Sequence, residues 1–423
     1  MSDWSRLHPL TPLLRGGRYL LALIAVVGQQ GLRSADGRFI AVAAGVGTPL
    51  ALLAGYLSWR TTRYRVEGSE LHITSGVLQK RDRRVPLPRV QSIDVVRPLV
   101  GRVLGLAELR LEVVGGGDTE ARLSYLTDDQ AVALRGSLLA LVSGTPEADE
   151  QPTEHVLVEV PTEALVGSVL RSPATVLLVS LPVIAALTAL VDVRAAGTVL
   201  LGLLPALLGT GSLAVRRLLL EYGFSVAEVP GGLRLRHGLL DKRTQTIPTG
   251  RVQTVRVREP LLWRRKGWVR VEVDVAGYAG GRGEEQAQTS ALLPVAPREL
   301  ALALVERVLG GPLPKALLPA PPSARWRAPL SARRLRIGSD RRLVVSRYGI
   351  LTSTTDVVPL SKVQSLRLSS GPWQRRLGLA SVHVDSAGRS LREAVLQHRG
   401  AGEADELITV LTARARAARQ PTG

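Results

Sequence analysis

One phrase occurs three times in this chain: VPLPRVQSIDVV from Val85, IPTGRVQTVRVR from Ile247 and VPLSKVQSLRLS from Val358. Flanking glycines keep step with it. Gly76, Pro86, Gln91 and Gly105 in the first copy correspond to Gly238, Pro248, Gln253 and Gly267 in the second. In the third they correspond to Gly349, Pro359, Gln364 and Gly378. The intervals are 10, 5 and 14 residues each time. Fixed spacing at four positions marks an internal repeat, so the chain must build one unit three times.

Within each copy the apolar residues alternate. LRLEV from Leu109, VRVEVDV from Val269 and SVHVDS from Ser381 have the period of antiparallel strands. The phrase itself is expected to form the central hairpin of each unit, with Pro86, Pro248 and Pro359 at strand starts or edges. Gly76, Gly238 and Gly349 suit a hairpin or bulge. Each copy ends in an amphipathic helix. TDDQAVALRGSLLALV starts at Thr127, a good N-cap, PRELALALVERVL at Pro297 and EADELITVLTARARA at Glu403. Six or seven strands followed by one helix give a small curled sheet whose open end the helix covers. The repeated positions thus specify a fold and not a reaction.

Long apolar stretches precede the first two copies. Phe39–Trp59 runs 21 residues without a charge, a helix of about 31 Å, enough for the hydrocarbon core. Thr175–Val191 and Ala195–Val215 are separated by three residues and form a second candidate hairpin. Pro182 and Pro205 lie inside them, as membrane helices tolerate. Tyr19–Leu32 is shorter. It fits a spanning helix, an interfacial helix or a signal peptide preceded by Arg15 and Arg18. Two transmembrane hairpins are the expectation. Arg60, Arg63, Arg65, Arg171, Arg216 and Arg217 flank their outer ends, which places both termini and the repeats in the cytoplasm.

The net charge is +19, from 55 Lys and Arg against 36 Asp and Glu, and it favours an anionic partner. With no cysteine, neither a disulfide framework nor a thiolate metal site can form. The six histidines show no metal-binding spacing. No cofactor or metal is expected.

The motifs resemble a known family. Tyr64-Arg65-Val66, the turns Gly76-Val77-Leu78 and Gly238-Leu239-Leu240, the P-x-x-R-V-Q core, and Arg102 to Leu106 with Arg376 to Leu379 are similar to bacterial pleckstrin-homology (PH) domain membrane proteins of the YdbS/YdbT type. The second copy departs from them, with Trp263-Arg264-Arg265-Lys266-Gly267-Trp268 replacing the R-x-L-G-L segment. The resemblance implies a multi-pass plasma-membrane protein of α+β class. It would hold two transmembrane helical hairpins and three PH-like barrels or sandwiches, each closed by a C-terminal helix. The resemblance brings no activity with it.

The expected layout is hairpin 13–60, PH-like domain 63–143, linker 144–172, hairpin 173–217, PH-like domain 218–310, Pro-rich linker 311–330 and PH-like domain 331–417. The proline-rich segment should act as an extended spacer, leaving the third unit freest to reach a partner. The expected function is a scaffold presenting these domains to anionic lipid or partner proteins. The alternative is a protein-only platform in a membrane complex, of the envelope-stress or antimicrobial-peptide-resistance type. Candidate contact residues are Lys80, Arg81, Arg83, Arg84, Lys242, Arg243, Arg264, Arg265, Lys266, Arg375 and Arg376, for which a solvated loop is the plain reading. For catalysis, Asp128-Asp129, Glu284-Glu285 and His383 near Asp385 are the groups to weigh. The first pair caps a helix, the second sits in a solvated loop, and His383 and Asp385 share a strand face; no nucleophile–base or metal set stands out, so the expectation is a non-enzyme. Nothing in the sequence marks a nucleic-acid site.

Overall fold

The computed structural model describes residues 4–6, 8–9, 45–50, 53, 56–57, 59–68, 70–76, 80–113, 120–143, 155–190, 192–276, 290–388 and 391–420. They fall into two compact units, 1–150 with 241–243, and 151–240 with 244–423.

In the first unit, β1 (Ser5–Arg6), β2 (Arg63–Glu67), β3 (Glu70–Ser75) and β4 (Arg81–Pro86) form one sheet in that order. The strands β5 (Val90–Arg97), β6 (Leu106–Val113) and β7 (Glu120–Thr127) pair antiparallel as neighbours, with a short helix α1 (Leu99–Val103) between β5 and β6. Leu71 and Val85 from the first sheet, with Leu87 just after β4, meet Ile93, Leu109, Leu111 and Leu123 from the second. Helix α2 (Asp128–Ser143) closes this core with Ala131, Leu134 and Leu138. Thr127 and Gln130 cap it reciprocally, each side chain accepting from the other's backbone N–H at 3.3 Å.

The second unit contains two more copies. A helical lead-in comes first: β8 (His155–Glu159), α3 (Thr162–Leu170), α4 (Pro173–Ala189) and α5 (Val193–Glu221). The second repeat follows as β9 (Ser225–Val229), β10 (Gly232–His237), β11 (Lys242–Pro248, whose first two residues group with the first unit), β12 (Val252–Pro260), β13 (Trp268–Val275), β14 (Ala291–Pro297) and α6 (Arg298–Val308). The third comprises β15 (Leu318–Pro319), α7 (Ala324–Arg327), β16 (Arg336–Ser339), β17 (Leu343–Tyr348), β18 (Thr352–Pro359), β19 (Val363–Ser369), α8 (Pro372–Arg376), β20 (Leu379–Ser386), β21 (Ala394–Gly400) and α9 (Ala401–Arg419).

The repeated phrase is a corner and not a hairpin. In every copy the proline is the last residue of a strand, and a single 3-10 turn follows: Leu87–Arg89, Thr249–Arg251 and Leu360–Lys362. With φ between −64° and −67°, Pro86, Pro248 and Pro359 end the ladder and start the turn. The chain leaves one sheet and enters the next at Val90, Val252 or Val363, all buried. The glutamine then forms a bulge. The register skips between Val90 and Ser92, Val252 and Thr254, and Val363 and Ser365. Gln91, Gln253 and Gln364 are the skipped residues, so this position bends the strand around the core. The last repeated glycine has a double role. Gly105, Gly267 and Gly378 take φ of +67°, +64° and +63°. Their carbonyls accept the first N–H of the closing helices, from Asp128, Arg298 and Ala401 at 2.8–3.0 Å.

The expected linkers carry structure. Residues 155–159 and 162–170 form β8 and α3, and the proline-rich stretch contributes β15 and α7. The third repeat is not on a spacer. Strand β12 pairs antiparallel with β18, Val255 opposite Val357 through Pro260 opposite Thr352. The result is one seven-stranded sheet, β14-β13-β12-β18-β17-β16-β15, shared by the second and third repeats.

The expected pair of spanning hairpins is seen only in part. Tyr19–Leu32 lies outside the described residues, as does about half of Phe39–Trp59, of which residues 45–50, 53, 56–57 and 59 are helical. Helix α4 packs against α5 but has 17 residues, about 26 Å, short of a ~30 Å hydrocarbon core. Helix α5 has 29 residues. Its stretch Gly202–Glu221 is long and apolar enough to cross a membrane, and apart from buried Glu221 at its end the residues are exposed or half-buried. Among the described residues it is the one stretch that passes that test.

Candidate functional site

Helix α5 runs into the second repeat with three residues between Glu221 and Ser225. Its last carbonyls need partners, and the β10–β11 hairpin supplies them. Leu239 N–H donates to Leu219 O at 2.8 Å, and Gly238 N–H to Tyr222 O at 2.8 Å. His237 Nδ1 lies 2.8 Å from Leu220 O, which assigns it the donor's proton.

A buried ion network locks the same end. Glu221 accepts from Arg217 Nε at 2.9 Å and from Arg270 Nη1 at 2.6 Å. Arg270 Nε donates to Glu272 at 3.0 Å. Burial works against the Arg270 charge, but Glu221 and Glu272 more than offset it and raise its pKa. Trp263 is buried and donates Nε1–H to Ser168 O of α3 at 3.2 Å, while the Arg217 guanidinium lies 5.5 Å from its ring. Trp268 presses on Gly167, where a Cβ would come within 2.9 Å of the indole. The departure of the second copy from the R-x-L-G-L pattern is therefore the seat for α3 and α5. The two tryptophans were visible in the sequence. The link from Arg217 to Glu221, Arg270 and Glu272 was not, because up to 55 residues separate them.

A second polar core lies where the second and third repeats share a sheet. Arg256 of β12 donates Nε and Nη2 to Asp356 of β18 at 2.6 and 2.9 Å. Asp356 is fully buried and Arg256 nearly so. Burial pushes the Asp356 carboxyl up, against the hydrogen bonds and charge of Arg256. Tyr348 also donates to Asp356, at 3.2 Å, and burial together with that carboxylate pushes the phenol up to about 12. The β20–β21 connection folds over the junction. Arg392 O accepts from Arg256 at 2.9 Å, and Leu391 N–H donates to Asp274 at 3.1 Å. Tyr348, Arg392, Glu393, Val395 and Gln397 line an open cavity of about 520 Å³ beside it.

Glu393 links that cavity to an exposed polar row. His383 Nδ1 lies 2.8 Å from Glu393 Oε1 and its Nε2 2.7 Å from Ser369 Oγ. Asp385, its neighbour on the same strand face, accepts instead from Arg367 at 2.7 and 2.8 Å and from Ser365 at 2.6 Å. Arg367 holds the Asp385 carboxyl well below the usual range. Serine, imidazole and carboxylate are thus aligned, but the cavity lining includes neither Ser369 nor His383. Asp128 begins α2 and accepts from Arg97 at 2.6 Å. Glu284 and Glu285 lie outside the described residues.

The bacterial PH domain family model matches residues 19–142, 176–311 and 308–415, most of the chain. The chain belongs to the bacterial PH domain family. A curated relative is UPF0699 transmembrane protein YdbT of Bacillus subtilis (strain 168), 22% identical over 284 residues. The match covers 60% of this chain and 57% of the relative, so the shared part spans little more than half of YdbT.

The basic residues of this PH-domain chain fall at two recurrent turns. Lys80, Arg81, Arg83 and Arg84 lie at or on β4, and Lys242 and Arg243 begin β11. Lys80, Arg84 and Lys242 are exposed; Arg83 and Arg243 are half-buried. The other turn joins the first two strands of each C-terminal sheet. It holds Arg264, Arg265 and Lys266 in the second repeat, and Arg375 and Arg376 on α8 in the third. In the second unit the structure brings Arg264 to the Gly349 hairpin, where it donates to Ile350 O at 2.7 Å.

Proposed function

We propose that this PH-domain protein is a membrane-embedded, non-catalytic scaffold. In this reading α5, with α4 beside it, anchors the second and third repeats at the inner leaflet of the plasma membrane, and the N-terminal apolar stretches form a second hairpin. The repeats face the cytoplasm and engage anionic lipid and partner proteins. The observation that carries the reading is the seat. A long apolar helix, exposed or half-buried up to its last residue, is capped by the second repeat's own hairpin and locked by Glu221 and Trp263. The name of the B. subtilis relative, a transmembrane protein, supports it. The basic turns fit a negative leaflet, where each Lys or Arg contributes about 1 kcal/mol. The polar row at His383 has the order of a hydrolase relay, but Arg367 holds both Asp385 and Glu393, which favours a structural role.

Expression in a bacterial host followed by an alkaline carbonate wash tests the anchor. The chain is expected to stay in the membrane pellet and to need detergent for release. Recovery in the wash would remove the spanning reading. Protease added to right-side-out spheroplasts should leave the repeats intact and digest them only after lysis.

A further inference from the structure

At the seat end of the second unit the chain exposes apolar residues where a soluble turn would be polar. Strand β12 continues its ladder with β18 past the sheet, Leu261 N–H donating to Leu351 O at 2.7 Å. That bond sets two turns side by side, Leu261-Leu262 after β12 and Ile350-Leu351 before β18. All four side chains are exposed, Leu351 by 71% and Leu261 by 48%. An exposed apolar cluster of this kind marks a binding surface.

Its surroundings are cationic. Arg264 and Arg334 both donate to Ile350 O, at 2.7 and 3.2 Å, so two guanidinium groups are held at the base of the tip. Arg265 and Lys266 follow and are exposed. Leucines ringed by arginine and lysine match the interface of an anionic bilayer, with acyl chains below and phosphates above. Position argues for the same occupant. Trp263, one residue beyond Leu262, is packed on Arg217 of α5, two residues after the apolar run ends at Val215, or about 3 Å along the helix. The equivalent hairpin of the second repeat, with Leu239 and Leu240 exposed, is bonded to the last turn of α5 through Leu219 O.

We propose that the Leu261-Leu262 and Ile350-Leu351 tips insert into the headgroup–acyl boundary of an anionic membrane, with Arg264, Arg265 and Lys266 against lipid phosphates. The proposal rests on α5 being the anchor. It makes the second–third repeat junction a monotopic contact in addition to the span, so the shared sheet stands at a fixed height and roll on the bilayer.

The natural chain has no cysteine, so a single one reports cleanly. Full-length Leu351→Cys protein, labelled with an environment-sensitive fluorophore, is reconstituted in phosphatidylcholine vesicles with and without phosphatidylglycerol. Lipids brominated near the top of the acyl chain act as quenchers. The label is expected to lose most of its emission in the phosphatidylglycerol vesicles and far less in phosphatidylcholine alone. Ala413→Cys is the control. It is exposed on α9 beside Arg414, which donates to Ser339 and Asp340 at the other end of the β17–β18 pair, and its label should keep its emission. Combining Leu351→Cys with Arg264→Glu, Arg265→Glu and Lys266→Glu should restore emission. A Leu351→Cys label no more quenched than the control overturns the proposal, as does quenching indifferent to phosphatidylglycerol. A carbonate wash of the same vesicles separates the two readings: retained protein with an unquenched label sinks only the tip, and released protein sinks the anchor.

Discussion

Gln374 dictates the protonation state of His398. Gly371 N–H donates to Gln374 Oε1 at 3.0 Å, so the amide nitrogen must face Ser381 Oγ at 2.9 Å and His398 Nδ1 at 2.8 Å. Nδ1 can then only accept, which requires neutral imidazole. Burial, helped by the charge of Arg327, lowers the His398 pKa. The folded pKa is depressed below the ordinary 6.5, so the stabilisation is complete above that value and is lost as pH falls toward the folded pKa. The thermal midpoint of the third repeat should drop as pH is lowered through 6.5. His398→Asn, which tolerates the φ of +52°, should flatten that dependence; an equally steep profile would show that another group is responsible. None of this was legible in the sequence, where His398 and Gln374 are 24 residues apart on different elements.

The strands, closing helices and three-fold plan were legible, because alternation and capping act over a few residues. The role of the phrase was not. A proline between two apolar runs fits a hairpin edge or a corner, and the choice depends on whether the flanking strands pair. Here β4 pairs with β3, and β5 with β6, so the chain turns between sheets. The glycines separate two kinds of constraint. At Gly349, φ is +97° and a Cβ would lie 2.0 Å from Thr352 O, whereas at Gly378, φ is +63° with nothing within 4 Å. Gly378→Ala should cost only the left-handed strain of about 1–2 kcal/mol. Gly349→Ala adds a backbone collision and should cost more, opening the Ile350-Leu351 hairpin to proteolysis. Equal denaturation midpoints for the two variants would contradict the difference in space around them.

Across the molecule, the union of the second and third repeats had no sequence signal. Arg256 and Asp356 stand 100 residues apart; Arg256 falls in the repeated phrase at a position where the first copy has Asp94, and Asp356 falls outside the phrase. Truncating Asp356 leaves the Arg256 guanidinium without its carboxylate in a buried junction. Asp356→Ala should therefore destabilise the second unit by roughly 3–5 kcal/mol, read by denaturation of the detergent-solubilised chain. The paired change Arg256→Met with Asp356→Leu should recover most of that, since no lone charge remains; failure to recover would mean that the pair's geometry, and not the stranded charge, sets the cost. The candidate site was half legible for the same reason. The odd Trp-x-x-x-x-Trp segment announced itself, and its partners on α3 and α5 did not.

The three-residue passage from α5 into the second repeat, sealed by Leu219, Glu221 and Trp263, leaves no swivel between shaft and head. If α5 is the span proposed above, the second and third repeats, joined through one sheet, lean with it. A lipid bilayer that thickens or thins reorients its helices to match, and a lever of about 44 Å for 29 residues turns a few degrees of lean into ångströms of travel at the far rim.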